Sequence, residues 1–215
     1  MSLNKVYFIS GLGADKRAFS FLDLSFCDPI FIEWIEASKN ESLKEYAIRL
    51  RDQIPETNPI VVGVSFGGML VTEMAKEDKF VKGIIVSSNK TKKEFPGIYH
   101  IGKYFPAYKW LSSFLLKKLL LAFRPMVSAK GIEQKKVIKQ IIVDSDMDFL
   151  KWAINSILYW ENYQVPQNII HIHGTADRLL PYRLVKADHT IKNGRHLMIM
   201  DEHKEVSALL RELIA

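Results

Sequence analysis

Six short runs rich in Val and Ile alternate along the chain with stretches of helical periodicity: Val6 to Ser10, Ile30 to Trp34, Ile60 to Val64, Ile84 to Ser87, Ile169 to His173, and the weaker His189 to Lys192. Near-continuous apolar strands separated by helices predict a mostly parallel six-stranded sheet covered by helices on both faces, an α/β class. The helices have their own punctuation. Ser42 with Glu45 three residues later reads as a capping box, followed by Leu43, Tyr46, Ala47 and Leu50 on one face. Farther on, Met69, Leu70, Met74 and Ala75 supply a second buried stripe.

This rhythm stops between Asn89 and Pro166, where no convincing strand occurs and Trp110 to Phe123, Gly131 to Val143 and Asp148 to Trp160 read as helices. Of the 24 Phe, Trp and Tyr residues, 13 lie in this segment, so it must bury them against something. Packing on the main sheet is one destination and the lining of an apolar substrate pocket beneath a helical cap is the other. Contact of the Trp110 helix with a membrane surface is an alternative for that helix. A chain of 215 residues with 48% hydrophobic content supports one core. The expected organisation is therefore a single domain over 1–215 with a cap inserted at 89–166.

Charge follows the same division. Residues 89–166 hold 13 Lys or Arg against 6 Asp or Glu, a surplus of +7, which leaves −1 on the rest of a chain whose total is +6. Without a basic run or a nucleic-acid module, the surplus reads as a solvated cap surface, and no nucleic-acid partner is expected. No uninterrupted apolar run approaches the roughly 18 residues of a membrane span, so stable membrane insertion is not expected. Lys5 to Gly11 reads as a strand entering a turn rather than a secretory signal, and the expected location is the cytoplasm. The single cysteine, Cys27, reads as a small packed residue, and no cysteine cluster suggests a metal site.

The chemistry is concentrated in Pro59 to Lys76, PIVVGVSFGGMLVTEMAK, where Ser65 stands between strand and helix and between two glycines. A serine hydroxyl is a weak nucleophile until a base takes its proton and donors stabilise the resulting oxyanion. A sharp strand-to-helix turn exposes the Oγ and sets the next amide, that of Phe66, at a helix N-terminus. The turn needs small residues two before and two after the serine, a demand met by Gly63 and Gly67, while Gly68 lets the helix approach the sheet. A phosphate cradle is the competing reading of such a turn, but both G-x-G-x-x-G and the Walker lysine are missing.

On these residues the chain resembles the α/β-hydrolase family over most of its length outside 89–166. The resemblance implies a triad in the order serine, acid, histidine. Asp177, in HGTADRLLP after the fifth strand, supplies the acid, because Ser87-Ser88-Asn89 has no carboxylate at the alternative position. Alone, Asp177 would read as a cap ahead of Pro181. His196, after Asn193-Gly194-Arg195, is the expected base, with His203 its rival and with His171 and His173 read as structural. The resemblance also assigns the second oxyanion donor to the turn Ser10-Gly11-Leu12-Gly13, at Leu12, where many relatives have His-Gly. It makes this a minimal, six-stranded version without the first two strands common in the family.

The function expected is a serine hydrolase that cleaves a small acyl ester or thioester through an acyl-enzyme, with no metal or organic cofactor. The serine disfavours the dehalogenase and epoxide hydrolase branches, which use an aspartate there. The aromatic cap suggests an apolar acyl or aryl group, and its lysines weakly suggest a negatively charged substrate. A non-catalytic ligand-binding protein is the alternative from another class, and an acyltransferase or lyase would use the same three side chains. Oligomeric state has no signature in the sequence.

Overall fold

The computed structural model describes residues 3–104, 106–127 and 129–214. Six strands form one sheet: β1 (Lys5–Ile9), β2 (Asp28–Phe31), β3 (Ile60–Val64), β4 (Lys82–Val86), β5 (Ile169–Gly174) and β6 (His189–Ile191). Their order is β2-β1-β3-β4-β5-β6, and every neighbouring pair is parallel. The chain first moves outward from β1 to β2 and then returns across β1 to β3. The gap between the carboxyl ends of β1 and β3 is thus a topological switch point, where open α/β sheets collect their ligands.

Alternation along the strands divides the core into two layers. Tyr7, Ile9, Val61 and Ile85 pack with α1 (Leu43–Arg51) and α2 (Phe66–Glu77). Val6, Phe8, Val62, Ile84 and Ile172 face the other way, onto α7 (Met198–Asp201) and α8 (His203–Ile214). Ser42 begins α1 with both halves of the capping box in place: Ser42 Oγ accepts from the Glu45 amide and the Glu45 carboxylate accepts from the Ser42 amide. Cys27 is buried in the second layer, and burial pushes its thiol up to about 11, which suits a packed residue.

Residues 89–166 contain α3 (Gly97–Tyr104), α4 (Ser113–Val127), α5 (Ile132–Asp144) and α6 (Met147–Leu158), with no strand among the described residues. Helix α5 joins one core layer through Ile138 and Ile141, and α6 joins the other through Phe149 and Ala153. The segment therefore straddles the sheet, and at the α5–α6 junction Ser145 Oγ donates to the Gly13 carbonyl at 2.7 Å. Much of the aromatic surplus is spent here. Phe149 and Trp152 of α6 pack with Trp34, Tyr46 and Phe66 at ring-centroid distances of 4.4–6.4 Å.

Three expectations shift. Strand β2 ends at Phe31, before Trp34, whose indole N–H leaves the sheet to donate to the Ala14 carbonyl at 2.5 Å. Helix α4 starts at Ser113 rather than Trp110, because Ser112 accepts the Leu115 amide at its Oγ and the Leu116 amide at its carbonyl. Helix α2 is buried on every side from Phe66 to Ala75, not along one stripe. Even Glu73 is inside, held by Lys76 and by the Trp160 indole at 2.7 Å.

Candidate active site

Val62 and Val64 anchor β3 in one core layer and Phe66 starts α2 in the other, so the chain must turn sharply at Ser65. It does so with φ 53° and ψ −117° at Ser65, a conformation that L-residues rarely adopt and that costs on the order of 1–3 kcal/mol. The surroundings enforce it. The Ser65 amide donates to the Val86 carbonyl at 2.9 Å, and the Ser65 carbonyl accepts from Gly68 and from the Ser88 hydroxyl at 2.7 Å. A Cβ on Gly63 would lie 2.5 Å from the Gly67 carbonyl oxygen, and one on Gly67 would lie 2.4 Å from the carbonyl oxygens of Ile9 and Ser10. At Gly68 the space is taken by the Ser88 side chain at 2.5 Å, so this glycine admits the loop after β4 as well as the helix.

Behind the serine, two loops are joined backbone to backbone. Ala176 donates to the Gly194 carbonyl and Thr175 to that of Ile191, while Asn193 donates to the Thr175 hydroxyl. A left-handed Asn193 (φ 58°) turns the second loop. This pairing sets His196 beside Asp177: His196 Nδ1 is 2.8 Å from Asp177 Oδ2, and His196 Nε2 is 3.0 Å from Ser65 Oγ. Both His196 and Asp177 are buried. The other Asp177 oxygen accepts the amides of Leu179 and Leu180, so the carboxylate caps its own turn and faces the imidazole at once. Burial alone would raise its carboxyl, yet the bond from His196, the neighbouring imidazoles and the Leu180 amide hold it below the usual carboxylate range.

The sequence did not single out the support behind Asp177. His173 Nε2 lies 2.8 Å from the Leu180 carbonyl, which only accepts, so this nitrogen carries the proton. The same nitrogen is 3.5 Å from Asp177 Oδ2. His173 Nδ1 is then an acceptor for His171 Nε2–H at 3.1 Å. His171 Nδ1 ends the chain buried and without a hydrogen-bond partner. Burial first, then the His173 ring and the Lys90 ammonium, push His171 down to about 3, and burial likewise lowers His173. Both are neutral props. Their period-2 spacing on β5 is visible in the sequence; their contact with the Asp177 turn depends on a bend that is not.

The turn after β1 reaches the serine from the other side. A Cβ on Gly11 would stand 3.6 Å from Ser65 Cβ. Gly13, at φ 64°, lets Ala14 donate back to Gly11, and Ser10 Oγ and Trp34 Nε1 both donate to the Ala14 carbonyl. Neither the Leu12 nor the Phe66 amide has an acceptor among the described residues. The rival histidine lies elsewhere: His203 opens α8 with Nδ1 at 3.1 Å from the Met200 carbonyl and its ring against Phe21. The side chain of His100 lies outside those described. Among the described residues no cluster of three or more His, Cys, Asp or Glu could hold a metal ion.

No family model matches the chain, and no curated protein matches it. Solved structures do. A thermophilic esterase from Thermogutta terrifontis superposes with a TM-score of 0.73 at 14% identity, covering 99% of this chain and 89% of that one. The esterase EaEST from Exiguobacterium antarcticum gives 0.73 at 14%, covering 99% and 92%. An epoxide hydrolase of the alpha/beta hydrolases superfamily, from metagenomes of hot environments, gives 0.75 at 15%, covering 99% and 91%.

Proposed function

We propose that this chain, which has the α/β-hydrolase fold, is a serine hydrolase acting on a small acyl ester or thioester. The observation that carries the reading is the continuous hydrogen-bonded series from Asp177 through His196 to Ser65, at 2.8 and 3.0 Å. In the reaction, Ser65 Oγ attacks the acyl carbon as His196 Nε2 takes its proton, and Asp177 holds the Nδ1–H tautomer and stabilises the imidazolium. The Phe66 and Leu12 amides receive the oxyanion. His196 then returns the proton to the leaving alcohol or thiol, which departs and leaves Ser65 acylated. Water attacks that ester, again giving its proton to His196, which passes it to Ser65 Oγ as the acid departs.

The serine nucleophile separates this chain chemically from an epoxide-opening role despite the likeness to an epoxide hydrolase. Leu12 packs against the main core and against Leu116, Met147 and Leu150 of the cap, which favours an apolar acyl group beside the oxyanion site. The test is hydrolysis of p-nitrophenyl esters of increasing acyl length, with the matching thioesters. Asp177→Asn should fold and lower kcat by about 10⁴, because the wrong imidazole tautomer then faces Ser65. Equal turnover by wild type and Asp177→Asn would rule the triad out.

A further inference from the structure

The cap buries one side of α4 and leaves the other without a partner. Leu116 points inward onto Met147 and Leu150. Trp110 is 81% exposed and Phe114 68%, and Tyr104, Leu115 and Leu119 are also exposed. So many large exposed apolar side chains at and just before the start of one helix are unusual on a protein surface and mark a contact site.

The charge around these side chains restricts what they can contact. From residue 95 to 132 the sequence has six Lys or Arg and no Asp or Glu, and of the six Lys103 pairs with Glu161 and Lys130 with Glu202. Lys109 and Lys118 have no carboxylate partner among the described residues; Lys118 lies over the Phe114 ring and Lys109 over that of Tyr159. Aromatic and leucine side chains flanked by lysines whose stems run along the apolar surface form the pattern of a helix that lies in a lipid interface. A second copy fits less well. Symmetric pairing on this face would oppose lysine to lysine, and the rest of the chain, at −1, has an acidic surplus of one charge against the cap's +7.

We propose that the Lys109–Leu119 face of the cap is a peripheral docking surface for an anionic lipid bilayer, with Trp110, Phe114 and Leu115 entering the headgroup boundary and Lys109 and Lys118 meeting lipid phosphates. The chain lies on the membrane and does not span it: no helix among the described residues is long and apolar enough to cross. The docking is independent of the chemistry at Ser65, so Ser65→Ala binds lipid as the wild type does.

The test is co-sedimentation of the full chain with phosphatidylcholine vesicles, with and without phosphatidylglycerol. The wild type should partition onto the anionic vesicles, less so at high salt, with a blue shift of tryptophan fluorescence that is absent in Trp110→Phe. Neutralising each of Lys109 and Lys118 to Gln should weaken partitioning about fivefold. Trp110→Ser with Phe114→Ser should abolish it, and because both side chains are exposed the double variant should keep the wild-type circular dichroism. Equal partitioning of wild type and double variant, or no preference for anionic vesicles, overturns the proposal. A wild-type dimer that the double variant converts to monomer, with no vesicle binding, would assign the face to a second copy instead.

Discussion

At the scale of single residues, the account depends on His171 and His173 being neutral. Both are fully buried, and the tautomer chain fixed by the Leu180 carbonyl leaves no acceptor for an added proton except the orphaned His171 Nδ1. Charging that nitrogen inside the core is what burial opposes, which is why His171 lies near 3 in the folded state against about 6.5 when unfolded. Below about 6.5 the unfolded chain binds a proton that the folded chain refuses. The stabilisation is therefore complete above about 6.5 and is lost as the pH falls towards 3. Urea unfolding followed from pH 7.5 down to pH 4 should show stability falling by up to about 1.4 kcal/mol per pH unit for each such histidine. His171→Gln retains a donor for His173 Nδ1 without a titrating base, and should flatten the slope. An unchanged slope would mean that His171 is not the group responsible.

At the scale of elements, the strand-turn-helix unit at Ser65 is a steric device before it is a chemical one. Gly67 Cα faces two carbonyl oxygens of the β1 end, so Gly67→Ala must push the elbow away from the turn that carries Leu12. That substitution should cost about 3 kcal/mol or more, as overpacking against backbone does at its upper range. Gly97→Ala has open space and should change stability by less than about 1 kcal/mol. Comparable losses in the two variants, measured by urea unfolding, would contradict the steric reading. These glycines were legible in the sequence because a turn of this kind tolerates little else at Gly63 and Gly67. The strands were legible for a similar reason, since Val and Ile runs buried on both faces have few alternatives. What the sequence hid were contacts between distant segments: Ser88 on the Ser65 carbonyl, Trp34 on Ala14, His173 on the Asp177 turn. Each depends on where another loop ends, which local periodicity does not report. Local periodicity extends α4 back to Trp110 for the same reason, since the cap at Ser112 is indistinguishable in sequence from a helical serine.

At the scale of the molecule, residues 89–166 are joined to the sheet through an aromatic sheaf, with the ion pairs Arg17–Asp144 and Lys130–Glu202 beside it. Phe149 touches Trp34, Tyr46, Phe66 and Trp152, which come from the loop after β2, from α1, from the elbow helix and from α6 itself. Base and cap should accordingly unfold together. Phe149→Ala should lower the stability of the whole chain by about 3–5 kcal/mol with a single cooperative transition. A variant that loses a separate early transition, with the main one unmoved, would show the cap to be an independent unit. The exposed Trp110 and Phe114 of the same segment are its outward-facing counterpart, just before and at the start of α4.

The claim that Ser65 is activated by His196 is tested most directly by fluorophosphonate labelling of the purified protein, read by intact mass, alongside Ser65→Ala and His196→Ala. The account predicts one adduct on the wild type, none on Ser65→Ala, and a rate slowed about 10³-fold or more in His196→Ala. A folded wild type that takes no label, or an adduct that persists in Ser65→Ala, would contradict it.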